Sequence, residues 1–129
     1  MNKKFLIAGA IFGLLGVIIG AFAAHGLKPL ISQESFQSFE TGVKYQMYHA
    51  LFLLILGGWN FLSQKLKDAT FYLLVFGITF FSGSIYLLAT NNLTNIDFRS
   101  IALVTPLGGS LLIIGWLLVL ISILKLKKK

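Results

Sequence analysis

Two histidines, His25 and His49, are the side chains of this chain whose charge changes most readily near neutral pH. Tyr45 and His49 are four residues apart and share one face of a helix, with Tyr48 adjacent to that face. Glu40 and Lys44 have the same spacing one turn earlier, and Gln46 points to another side. If His25, Glu40, Tyr45, Tyr48 and His49 lined a cavity, they could relay protons or hold a polar ligand. If they bonded to neighbouring helix backbones, they would fix packing instead. The residues alone leave both readings open. A metal site is not expected, because the two histidines lack any short ligand spacing. Haem ligation would need the two imidazoles opposed across the cofactor, so no cofactor is expected either. The absence of cysteine excludes disulfides, thiolate catalysis and cysteine-based metal sites. There is no GxSxG, no P-loop and no pair of carboxylates within an apolar run, so nothing requires an enzyme.

The elements that must position these groups are set by composition. The 129 residues are 57% hydrophobic and 12% charged, about half the charged fraction of a soluble domain at roughly 25%. A chain of this size cannot bury so much apolar surface against itself, but lipid can cover it. Residues 5–24, 43–62, 70–90 and 101–124 each approach the roughly 20 residues needed to span a bilayer core. The expectation is an all-α polytopic membrane protein, a single domain of four transmembrane helices. Backbone amides in lipid must pair internally, and no barrel-type alternation is present. The first run has a basic start and small residues at Ala21, Ala23 and Ala24, like a signal peptide, but its apolar body exceeds the usual 7–15 residues and is read as a retained helix. In the second, only Ala50 to Trp59 is wholly apolar, so the span must take in Tyr45, Gln46, Tyr48 and His49. The fourth contains Pro106, where the helix either kinks or begins.

Between the first two spans, Ser32 is a natural N-cap with Glu34 in the first turn, and Phe36, Phe39 and Val43 form an apolar stripe. This predicts a short interfacial helix, bending at Gly42 into the second span. Lys3, Lys4, Lys65, Lys67, Lys125, Lys127, Lys128 and Lys129 fall on one side of four spans, against Lys28, Lys44 and Arg99 on the other. That bias predicts both termini in the cytoplasm. The lysines cap apolar runs and make no basic face, so nucleic acid is not an expected partner. Gly9, Gly13, Gly16 and Gly20 share one face of the first helix and predict close helix packing, within the chain or against a second copy or another membrane protein. Ser82, Gly83 and Ser84 form a second small patch. Trp59 suits the interfacial belt, and Trp116 lies deeper, against lipid or a neighbouring helix.

The run Gly20-Ala21-Phe22-Ala23-Ala24-His25-Gly26-Leu27, with Thr41-Gly42 and Tyr45-Gln46-Met47-Tyr48-His49, resembles the small membrane proteins grouped as domain of unknown function 423. That group includes the transmembrane-protein-256-like proteins. Phe81-Ser82-Gly83-Ser84-Ile85-Tyr86 and Thr105-Pro106-Leu107-Gly108-Gly109 extend the resemblance over nearly the whole chain, and Ala23 departs from it where glycine is expected. The resemblance implies a four-span protein of the bacterial cytoplasmic membrane and supplies no activity. It adds Ser82, Ser84 and Tyr86 to the candidate pocket. Two functions follow as expectations. One is a small-molecule or ion binding or transport module with a polar pocket in the outer half of the membrane. The other is an accessory subunit that packs on a larger membrane partner through its glycine-rich first helix.

Overall fold

A computed structural model describes residues 2–94, 97 and 99–126. Lys127, Lys128 and Lys129, which enter the charge bias, lie outside the described residues. Among the described residues there are four α-helices: α1 (Lys3–Phe22), α2 (Gln33–Gly58), α3 (Gln64–Ala89) and α4 (Val104–Leu124). A π-helical turn (Ala23–Leu27) and a 3-10 turn (Lys28–Leu30) that contains Pro29 extend α1, and the run ends where Ile31 becomes extended.

Packing follows chain order, α1 on α2, α2 on α3 and α3 on α4. The α1–α2 pair is antiparallel and built on the four-glycine face. Gly9 lies against Ala50 and Leu54, Gly13 against Ala50, Gly16 against Met47 and Gly20 against Val43. Gly57 answers from α2, meeting Leu6. The α3–α4 pair uses fewer glycines more tightly. Gly77 receives Leu112, Gly115 receives Leu74, and Gly108 lies on the backbone of Phe80 and Phe81. Leu53, Leu56, Leu74, Ile78, Leu112 and Val119 fill the centre.

α2 departs from expectation. Ser32 caps it, accepting from the Ser35 amide at 3.1 Å, and the helix then runs unbroken to Gly58. The separate interfacial helix is therefore absent: its polar residues are the first half of α2. Gly42 is a contact point rather than a break, buried against Ile85 and Tyr86. A glycine inside a helix costs only about 1 kcal/mol, which the close approach to α3 can offset. The helix also ends at Gly58, short of the expected residue 62. Pro106 sits in the first turn of α4, where a missing amide donor is harmless, so the fourth helix begins there rather than kinks.

Both outer helices turn apolar faces outward, with Leu14 63% and Ile113 69% exposed. Such surface is unstable in water but matched to lipid. Lys3–Leu30, Gln64–Ala89 and Arg99–Leu124 are long and apolar enough to cross a membrane. The starts of α1 and α3 and the end of α2 meet at one end of the molecule. There the Asn2 amide donates to the Gly57 carbonyl at 2.8 Å and Lys4 pairs with Asp68.

Candidate functional site

The polar side chains inside the helices form ties between them. On α2, Gly42, Gln46, His49, Leu53 and Leu56 recur at spacings of four and three and are all buried. Gln46 is the node of this stripe. Its Nε2 donates to the Phe12 carbonyl of α1 at 2.9 Å, and its Oε1 accepts from the Tyr86 hydroxyl of α3 at 2.6 Å. One amide thus joins three helices, and both its polar atoms are satisfied where an unpaired one would be costly. One turn away, the Ser82 hydroxyl donates to the Gly42 carbonyl at 2.7 Å. Ser84 shares a 2.5 Å hydrogen bond with Thr105, fastening α3 to the start of α4.

His49 is the second node. The Trp116 indole donates to Nε2 at 3.0 Å. An indole can only donate, so Nε2 is the unprotonated nitrogen. The ring proton then sits on Nδ1, which lies 2.7 Å from the Tyr45 carbonyl and donates to it. The hydrogen bonds therefore specify the neutral imidazole in one tautomer. Trp116 also stacks on Phe52, with ring centroids 3.8 Å apart. Together these contacts close the gap between α2 and α4 at mid-helix. Tyr45 packs beside them on Phe81 of α3, centroids 5.1 Å apart.

The eight residues singled out as a pocket are not brought to one place. His49, Ser82 and Ser84 are buried, and Tyr86 half-buried, in the ties just described. His25, Glu40, Tyr45 and Tyr48 are exposed. His25 lies on the π-helical turn, far from His49. The neighbour of His49, Ala50, touches Gly9 and Gly13, and His25 is about a dozen residues, roughly 18 Å, further along. Glu40 instead borders a small recess of about 120 Å³ with Gly20, Val43 and Lys44. Among the described residues, no group of three or more histidine or acidic side chains is arranged to hold a metal.

A larger cavity opens where the α2–α4 gap is not closed, at the end holding the α2 start. It measures about 470 Å³. Glu34, Ser35 and Ser38 of α2 form one wall and Ala102, just before α4, with Thr105 and Pro106 of its first turn the other, over a floor of Ile85, Leu88 and Ala89. Ser38, Tyr45 and Phe52 are seven apart on α2, so the stripe facing α4 changes from polar to aromatic as the cavity gives way to the closed half. In the adjacent loop, a side-chain hydrogen bond from Arg99 holds the Asp97 carboxyl well below the usual range, at about 2.

Sequence reasoning missed Gln46 and the wall of Glu34, Ser35, Ser38 and Thr105. The signal for Gln46 was available, since it falls on the stripe that also carries Gly42, His49 and Leu53. The Trp116–His49 bond joins residues 67 apart, and no local spacing could announce it.

This architecture defines a small all-helical polytopic membrane protein whose helices are joined by buried polar ties. The sequence profile of the family described as "Protein of unknown function (DUF423)" matches residues 19–109, and the chain belongs to that family. It is 43% identical over 123 residues to a UPF0382 membrane protein of Staphylococcus epidermidis, covering 95% of this chain and 97% of that one. It is 39% identical over 128 residues to the UPF0382 membrane protein YwdK of Bacillus subtilis, covering 95% and 98%. With the UPF0382 inner membrane protein YgdD of Escherichia coli it shares 37% identity over 134 residues, covering 100% and 96%. No solved structure matches the chain.

Proposed function

We propose that the protein crosses the bacterial cytoplasmic membrane four times, with both termini inside, and binds a small ligand in the outward-facing cleft between α2 and α4. The topology is supported by the position of α2. It lies antiparallel between α1 and α3, its end beside their starts, and its 26 residues extend about 39 Å. A helix so placed traverses the same layer as its neighbours, although its first half is polar. The basic residues Lys3, Lys4, Lys65 and Lys67 then gather at the cytoplasmic end.

The observation that carries the binding assignment is the cleft itself. There the Glu34 carboxylate and the Ser35 and Ser38 hydroxyls border open space above an apolar floor, while Gln46, His49, Ser82 and Ser84 are already paired. Glu34 favours a cationic head, the serine hydroxyls add hydrogen bonds, and Ile85 and Leu88 accept a short apolar body. An alkylammonium ion has this chemistry. The closed α2–α4 half below the cleft favours binding over open conduction. The glycine face of α1 is occupied by α2, which weighs against docking a larger partner through it.

The test is thermal unfolding of the detergent-purified protein with n-butylammonium, n-butanol or butyrate. The expected result is a rise in Tm with the ammonium ion alone, lost in Glu34→Gln. Equal shifts from all three compounds, or a shift that survives Glu34→Gln, would refute the assignment.

A further inference from the structure

A different part of the molecule has the chemistry of a lipid site. Outside the α3–α4 contact runs an open apolar groove of about 580 Å³, lined by Ala69, Tyr72, Leu73, Phe76 and Phe80 of α3 and Leu111 of α4. Three of its rings follow one another along α3, Tyr72 to Phe76 at 6.2 Å and Phe76 to Phe80 at 6.0 Å between centroids. Tyr72 and Phe76 are each about half exposed. From Ala69 to Phe80 the groove spans about 16 Å along the helix. That is close to half the roughly 30 Å hydrocarbon core, the depth of a single leaflet.

The charged end of this groove is specific. Lys65 is four residues before Ala69, so Lys65, Ala69, Tyr72, Phe76 and Phe80 form one continuous stripe. Lys65 is exposed and, among the described residues, makes no ion pair. At the same end the Lys4 ammonium lies 5.4 Å from the centre of the Tyr72 ring. Asp68 is paired with Lys4, so the charge of Lys65 is left uncompensated and the mouth is net positive. A groove one acyl chain deep with a cationic mouth matches the two ends of an anionic glycerophospholipid. A second copy of this chain, whose equivalent end carries the same lysines, would meet like charge there.

We infer that this groove selectively binds one anionic phospholipid, its phosphate at Lys65 and Lys4 and an acyl chain along Tyr72, Phe76 and Phe80. The assignment to the cytoplasmic leaflet rests on the topology proposed above; the binding does not. An interfacial lysine contributes about fivefold in affinity for an anionic lipid.

The full-length protein in neutral detergent is titrated with phosphatidylglycerol or phosphatidylcholine of identical acyl chains, with adducts counted by native mass spectrometry. Phosphatidylglycerol is expected to bind at the lower concentration. Lys65→Gln should weaken it about fivefold and weaken phosphatidylcholine less, because choline offsets the charge of the same phosphate, while Phe76→Ala should weaken both. Lys65 is exposed, so its replacement leaves the helical melting curve as a folding control unaltered. Equal binding of the two lipids, or unchanged phosphatidylglycerol affinity in Lys65→Gln, would overturn the inference. So would a protein dimer that excludes lipid and dissociates in Phe76→Ala. Loss of butylammonium binding with lipid selectivity retained would strike only the cleft.

Discussion

The two antiparallel pairs, α1–α2 and α3–α4, solve the same problem by different means. Neither can rely on water to drive its helices together, so both rely on close van der Waals approach. In α1–α2 the approach is spread over four glycines, and their neighbours are mostly side chains. A Cβ on Gly13 would meet Ala50 at an ordinary 3.8 Å, and one on Gly20 would meet Val43 at 3.3 Å. In α3–α4 it is concentrated at Gly108, where a Cβ would come within 2.3 Å of the Phe81 backbone nitrogen. The conspicuous glycine stripe is thus the more forgiving contact. A regular spacing identifies a packing face, but distance to the partner's backbone decides how much a methyl group costs.

Substitutions sharpen that contrast when unfolding is followed by helical circular dichroism during titration with a denaturing detergent. Gly108→Ala is expected to have the largest effect, about 3 kcal/mol, because backbone cannot move aside as a side chain can. Gly9→Ala, which meets the Ala50 carbonyl oxygen at 2.8 Å, should cost about 1–2 kcal/mol. If Gly9 proved the costlier of the two, the contrast between the pairs would fail. Gln46→Leu removes ties to both α1 and α3 and should cost about 1 kcal/mol, within the range measured for hydrogen bonds between membrane helices. Gly83, whose Cβ would meet nothing within 4 Å, is the control. Gly83→Ala should be neutral or stabilise by up to about 1 kcal/mol through helix propensity.

The smallest effect is expected in the loop between α3 and α4. Asp97 and Arg99 are exposed, and their pairing lowers the Asp97 carboxyl to about 2. A lowered folded-state value means any stabilisation is present above the ordinary carboxylate value of about 3.9 and disappears as pH falls toward 2. Solvent screening of the pair predicts no measurable change in Tm for Asp97→Asn at pH 7. A clear loss would show that the loop, as well as Gly108, holds the α3–α4 pair.

The helices were legible in the sequence because apolar runs of spanning length have few alternatives. The Ser32 cap and the glycine face of α1 were legible for the same reason, being local patterns. The continuity of α2 was not. Polar composition suggested a surface helix, and contacts distant in sequence, Gly42 on α3 and Phe39 against Tyr86, Ala23 and Leu27, hold the chain in one continuous helix. The candidate site was less legible still. His25 and His49 attracted attention as residue types, yet one faces outward and the other is committed to Tyr45 and Trp116. Glu34, Ser35 and Ser38 read as an ordinary helix start, and the cavity beside them exists because α4 begins at Val104 and leaves that end of the gap open.

In the proposed topology α2 crosses the membrane and opens its polar end outward, and the absence of native cysteine permits a direct test. Single-cysteine variants Ser38→Cys and Lys67→Cys are expressed in intact cells and exposed to a membrane-impermeant maleimide. Ser38→Cys is expected to label from outside and Lys67→Cys only after the membrane is permeabilised. Labelling of both positions from the same side would contradict that topology.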